Sequence, residues 1–105
     1  MIQTTNLIPE APVVKVSVAE GARHLIGFDG AAMLNGHTRM GFACEIWAMI
    51  EDQTGFTYLS TEHQSPCVVN YSPSAIGKTV AYRLRWIDNL GNSGPWIEIY
   101  NQTIE

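Results

Sequence analysis

The chain has 105 residues, a formal net charge of −4 at pH 7 and a hydrophobic fraction of 46%, which allows one domain with its own core. Six Lys and Arg residues in total are too few for the clustered cations that bind nucleic-acid phosphates or anionic membranes. Every apolar run is too short to span a bilayer, and the first residues lack the basic and apolar segments of a secretory signal. We therefore expect no nucleic-acid and no membrane partner, and the compartment stays open.

The first part of the chain predicts a short lead-in over residues 1–11, followed by a single domain over residues 12–105. Val14, Val16 and Val18 alternate with polar residues after two prolines, which is typical of a half-buried edge strand. Residues 23–28 favour a second strand. The irregular stretch 29–41 brackets four apolar residues with two turn dipeptides, and we expect a short helical turn there.

Residues 42–50 predict a central strand, because their apolar positions repeat with a period of two. The face expected in the core comprises Phe42, Cys44, Ile46, Ala48 and Ile50, and the opposite face carries Glu45, Trp47 and Met49. The same period in residues 80–87 places Val80, Tyr82, Leu84 and Trp86 inward, with Arg83 and Arg85 outward.

Three more strands are predicted over residues 56–61, 67–71 and 96–100, the last following a loop rich in Asn, Ser and Gly. Seven strands at this spacing indicate an all-β fold, a seven-stranded antiparallel sandwich of two sheets. Cys44 and Cys67 have neither metal-ligand spacing nor the density of a disulfide scaffold. We interpret both as apolar core residues, and a bridge between them remains an open alternative.

Two features of the second half resemble the fibronectin type III superfamily, whose domains are immunoglobulin-like sandwiches. Tyr82, six positions after Ile76, resembles the tyrosine corner of that family, and Gly94-Pro95-Trp96 resembles its closing motif. The resemblance implies that the Tyr82 hydroxyl ties the preceding crossover to the start of its strand. Ile97 departs from the family pattern, which has a serine at that position.

The chain also resembles a fibronectin type III-like module of uncharacterised proteins from Bacteroidetes-type bacteria. The matching positions cover about half of the sequence: Cys44-Glu45-Ile46, Ser65-Pro66, Gly77-Lys78, Leu84-Arg85-Trp86, Gly91 and Gly94-Pro95-Trp96. This kinship implies the fold and a bacterial source. A single sandwich of 105 residues without an active-site pattern also predicts a module of a larger protein. The kinship implies almost nothing about activity, because one fold hosts many functions.

The strongest candidate site is on the outer face of the predicted sheet, where Arg83 and Arg85 should stack on Trp96. Such a stack can simply stiffen the sheet. With Trp47, Met49, Ile87 and Tyr100, however, it would form an apolar patch large enough for an interface. The patch predicts contact with a neighbouring domain, a second copy or another protein. A carbohydrate-binding module that uses the exposed aromatic rings is the alternative.

The loops at one end of the sandwich form a second candidate surface, where His37, Arg39 and His63 would meet. Two histidines without a third ligand fall short of a zinc site, so we predict no metal and no cofactor. We also find no nucleophile, base and orienting group in a catalytic arrangement. The sequence therefore predicts a non-enzymatic spacer or protein-interaction module.

Overall fold

The computed structural model describes residues 10–105, so most of the predicted lead-in lies outside the described residues. Their regular elements, in chain order, are β1 (Val13–Ala19), β2 (Arg23–Asp29), β3 (Met33–Leu34), β4 (His37–Thr38), β5 (Phe42–Ile50), β6 (Thr57–Glu62), β7 (Cys67–Asn70), a 3₁₀ turn (Pro73–Ala75), β8 (Thr79–Asp88) and β9 (Tyr100–Thr103). Among them, no helix is long and apolar enough to cross a membrane.

The strands form two larger antiparallel sheets and one small hairpin. One larger sheet has the order β1-β2-β7, the other has the order β6-β5-β8-β9, and β3 pairs with β4. The two larger sheets share one core, so the fold is an all-β sandwich, as predicted. Residues 10–105 contain nine strands, of which seven lie in the two larger sheets and two form the β3–β4 hairpin.

The core lies between the two larger sheets and is built from alternating residues of the long strands. Val80, Tyr82, Leu84 and Trp86 of β8 are all 0% exposed, which confirms their predicted inward face. The Phe28 ring of β2 packs edge-to-face on Trp86, with the two ring centroids 5.9 Å apart. Large aromatic side chains from opposite sheets therefore close the sandwich.

The two cysteines are free thiols, so the alternative of a bridge is not the state of this structure. Cys44 on β5 is buried, and Cys67 on β7 is partly buried against the same core. Burial raises the pKa of the Cys44 thiol above its ordinary value and raises the pKa of Cys67 to about 11. Both residues therefore act as small apolar side chains in the core.

The predicted helical turn in residues 29–41 was wrong. The Met33 N–H donates to the Gly30 carbonyl, 3.0 Å away, and the chain then forms the β3–β4 hairpin. Asn35 and Gly36, the two turn residues of the hairpin, have φ angles of +54° and +80°. Both angles suit the type I′ turn that an Asn-Gly pair favours, so local turn chemistry overrides the apolar run.

The last strand is Tyr100–Thr103 rather than the predicted residues 96–100. The Ile97 N–H donates to the Leu84 carbonyl, 2.9 Å away, whereas Tyr100 pairs with Tyr82. From Ile97 to Tyr100 the chain advances three residues, whereas β8 advances only two residues between Leu84 and Tyr82. The last segment therefore has one extra residue relative to β8. Such a bulge interrupts the alternation of faces, and residues 96–100 consequently do not form one regular strand.

The tyrosine corner implied by the family resemblance is modified in this chain. The Tyr82 hydroxyl lies 2.5 Å from the Tyr71 hydroxyl and 2.7 Å from Nδ1 of His24. Tyr71 lies just before the crossover to β8. The Tyr82 hydroxyl is therefore joined to the preceding segment through the Tyr71 side chain. Ile76, expected as the apolar companion of Tyr82, is 53% exposed and lies outside the core.

Candidate functional site

The candidate site lies on the outer face of the four-stranded sheet, and strand register positions its side chains. Trp47 of β5 pairs with Arg83 of β8, and Glu45 pairs with Arg85. On the other side of β5, Trp47 pairs with Tyr58 of β6. Because directly paired residues of an antiparallel sheet share a face, these five side chains are neighbours on the surface.

Trp96 joins this face from the segment before β9 and stacks on both arginines. The Cζ atom of Arg83 lies 4.3 Å from the Trp96 ring centroid, and that of Arg85 lies 4.1 Å from it. The structure thus contains the stack that the alternation predicts. Phe56, just before β6, adds a ring whose centroid is 4.6 Å from the Arg83 Cζ. Each such contact stabilises by about 0.5–1 kcal/mol at an exposed site.

Glu45 connects one arginine to the aromatic rings. Its Oε1 accepts hydrogen bonds from Nε1 of Trp47, 2.8 Å away, and from Nε of Arg85, 2.9 Å away. Nη2 of Arg85 lies 2.8 Å from the same oxygen, and the two side chains are only 26% and 16% exposed. Partial burial reduces solvent screening, so this ion pair holds Arg85 and Trp47 more firmly than a fully exposed pair would.

Two aromatic contacts extend the site from Trp47. Its ring packs edge-to-face on Tyr58, with centroids 5.8 Å apart, and on Trp96, with centroids 6.2 Å apart. Tyr58 is 48% exposed, so this end of the face is open to solvent. We call the seven side chains together the outer-face cluster: Glu45, Trp47, Phe56, Tyr58, Arg83, Arg85 and Trp96.

Arg83 is the least satisfied member of the outer-face cluster. Its Nε atom is buried and has no hydrogen-bond partner among residues 10–105. The ion pairs in this part of the chain join Lys78 to Asp52 and Arg85 to Glu45, and Arg83 takes part in neither. A buried donor without a partner costs about 1–3 kcal/mol, which is comparable with the stabilisation from the two aromatic contacts.

Two residues of the predicted site are not part of the outer-face cluster. Met49 is opposite Ala81, on the predicted outer face and two residue pairs further along the sheet than the Trp47–Arg83 pair. Tyr100 pairs with Tyr82 and packs against the core, so its predicted place on the outer face was wrong. The bulge after Ile97 explains the error, because one extra residue turns Tyr100 from the outer to the inner face.

Sequence reasoning left Phe56 and Tyr58 out of the proposed site. Alternation along the predicted strand over residues 56–61 puts both residues on one face, so an aromatic pair at that spacing was an available signal. What the sequence could not show is the pairing of Tyr58 with Trp47, which depends on a register shift between β5 and β6 at Ile46 and Trp47. That irregularity lies in the pairing and has no sequence signature of its own.

On the loop surface, the predicted residues His37, Arg39 and His63 contact other residues rather than one another. The Thr38 hydroxyl lies 3.2 Å from Nδ1 of His63, and the Gln64 amide lies 3.4 Å from Nδ1 of His37. Arg39 turns away and donates to the Ala31 carbonyl, 3.0 Å from its Nε. Over residues 10–105, no group of three or more His, Cys, Asp or Glu side chains could hold a metal ion.

Comparisons with known proteins identify the fold. No model of a known protein family matches the chain, and no curated protein sequence matches it either. A solved structure described as "Myokine structure" superposes with a TM-score of 0.67 at 15% identity, covering 91% of this chain and 97% of that chain. The twitchin kinase region from C. elegans, described as Fn31-NL-kin-CRD-Ig26, gives a TM-score of 0.64 at 12% identity.

The match to twitchin covers 93% of this chain but 17% of the twitchin region, so the likeness is to one part of a longer protein. The chain therefore has a fibronectin type III- or immunoglobulin-like fold. Identities of 15% and 12% show the fold alone and carry no function across.

Proposed function

We propose that this chain is a non-enzymatic β-sandwich module of a larger bacterial protein and that it contacts another protein through the outer-face cluster. The observation that carries the proposal is a row of aromatic rings on one sheet face, with Tyr58 half exposed and packed on Trp47. Aromatic residues and Arg are enriched at the centres of protein interfaces.

The contacts within the cluster support binding, because they already fix side chains that a partner would otherwise have to immobilise. Trp47 is held by a hydrogen bond to Glu45 and by edge contacts to Tyr58 and Trp96. Trp96 in turn is held by Arg83 and Arg85. Side chains that are fixed before binding lose less conformational entropy when the contact forms.

The carbohydrate alternative has less support from the same contacts. A sugar-binding face needs free polar groups to orient hydroxyls beside an aromatic ring. Oε1 of Glu45, the acidic oxygen nearest the rings, already accepts from Trp47 and Arg85. No observation favours a sugar over a protein partner.

Panning of a random-peptide display library on the full chain tests the proposal. Peptides should be recovered that bind the wild type and lose binding to Trp47→Ala, because the substitution removes the central ring of the cluster. Val68→Ala is the matched control, since Val68 is 51% exposed on β7 of the other sheet. Failure to recover peptides would contradict the proposal and leave a spacer role. Peptides that bind Trp47→Ala as well as they bind Val68→Ala would do the same.

A further inference from the structure

Arg83 and Arg85 lie on the same face of β8 and stack on the same indole ring, but they differ in what balances their charge. Arg85 has the carboxylate of Glu45 at 2.8 Å, whereas Arg83 has no ion pair with any acidic side chain of residues 10–105. The remaining nine residues, MIQTTNLIP, contain no acidic side chain. The chain thus supplies one side-chain carboxylate for two adjacent guanidinium groups.

The position of the Arg83 guanidinium is determined by the two rings beside it. Phe56 and Trp96 lie 4.6 Å and 4.3 Å from its Cζ atom. Among residues 10–105 its Nε is buried without a partner, and its two Nη atoms take part in neither of the two ion pairs. A planar guanidinium held in this way presents its free N–H groups in a fixed direction, which suits the two oxygens of a carboxylate.

We infer that the protein partner of the outer-face cluster presents an Asp or Glu side chain to Arg83, next to an apolar side chain that packs on Trp47 and Tyr58. This inference rests on the proposed function and names the chemistry of its partner. Charge complementarity at Arg83 itself supports it, because Arg83 takes part in no ion pair within residues 10–105, so that a carboxylate would meet an unbalanced cation there. The two aromatic rings beside the cation favour a protein segment over an acidic sugar, which would need several free polar groups.

The experiment uses the peptides recovered by panning on the full chain and compares each with a variant that has Gln in place of its acidic residue. Binding to the wild type should weaken about tenfold, the effect expected for losing a charge-assisted hydrogen bond. With Arg83→Gln, the two peptides should bind equally, which completes a double-mutant cycle. Arg83→Lys should recover part of the preference, since Lys keeps the charge but not the planar fork.

Lys15→Gln is the matched control, because it removes the same charge from an exposed position on β1 of the other sheet. It should leave the tenfold preference intact. Cluster-specific peptides that lack acidic residues, or a preference that persists in Arg83→Gln, would overturn the inference but not the proposed function. Recovery of no cluster-specific peptide would overturn both. Saturable binding of glucuronic acid at Arg83 without any bound peptide would overturn the inference in favour of an acidic sugar.

Discussion

The hydroxyl of Tyr82 on β8 lies 2.7 Å from Nδ1 of His24 on β2, so a buried hydrogen bond joins the two larger sheets. Nε2 of His24 lies 3.0 Å from the Thr103 carbonyl, which can only accept. With one ring proton, His24 therefore donates from Nε2 and accepts from Tyr82 at Nδ1. Tyr82 can then accept from the Tyr71 hydroxyl, 2.5 Å away, and the network connects both sheets to the last strand.

Tyr82→Phe should lower the free energy of unfolding by about 2–3 kcal/mol, because it leaves Nδ1 of His24 buried without a donor. Tyr71→Phe should cost less, since Tyr71 is partly exposed and water can replace its contact. Urea unfolding of both variants measures the difference. A larger loss in Tyr71→Phe than in Tyr82→Phe would contradict this view of the network.

The free energy of unfolding should decrease at alkaline pH, because two tyrosines keep their hydroxyl protons to a higher pH in the folded chain than in the unfolded chain. Burial raises the pKa of Tyr82 and that of Tyr71 above the ordinary value. Their contribution is complete below the unfolded pKa of about 10 and declines as the pH rises further, because the unfolded chain then releases protons that the folded chain keeps. Urea midpoints should decrease as the pH rises above about 10, relative to their value at about pH 8, and Tyr82→Phe should flatten the decrease. An unchanged slope in the variant would assign the alkaline loss to other groups.

The native thiols should react slowly with a thiol reagent near pH 8. Burial raises the pKa of Cys67 to about 11 and raises that of Cys44 as well. At a pKa of about 11, the thiolate fraction is roughly two orders of magnitude below that of an ordinary cysteine. Mass spectrometry should detect modification of partly buried Cys67 before buried Cys44, and rapid modification of both in urea. Faster labelling of Cys44 would show that the core opens near β5.

Glu45→Gln should lower the free energy of unfolding by about 1–2 kcal/mol, because it weakens the bond to Trp47 and removes the ion pair with Arg85. Part of the loss should be insensitive to salt, since the two side chains are only 16% and 26% exposed. Glu98→Gln, at an exposed position, is the control and should be nearly neutral. Equal effects of the two substitutions in urea unfolding would show that Glu45 does not organise the cluster.

The central strands could be predicted from the sequence because their side chains alternate over a long run. In β8, four large apolar residues point inward at a period of two, and the same alternation brings Arg83 and Arg85 onto one face with Trp96. The role of Glu45 could not be predicted in the same way. It depends on register between β5 and β8, which places Glu45 opposite Arg85.

Errors occurred where pairing or turn chemistry overrides the local pattern. The Ile97 hydrogen bond to Leu84 shows that the last segment has one extra residue relative to β8. This bulge turns Tyr100 toward the core. Asn35-Gly36 is a recognisable turn signal, but the strands beside it have two residues each, too short to show a period. The first error concerns an interaction between segments, which a pattern within one segment does not contain. The second concerns strands that are too short to show their period.

The central claim is that the outer-face cluster is a contact surface and not the main support of the fold. The most direct test compares the unfolding free energies of Trp47→Ala and Trp86→Ala. Trp86 is 0% exposed in the core, so its truncation should cost about 3–5 kcal/mol. Trp47 is partly exposed, and its truncation should cost no more than half as much. Equal losses in the two variants would contradict the claim and make the cluster a structural brace of the sheet.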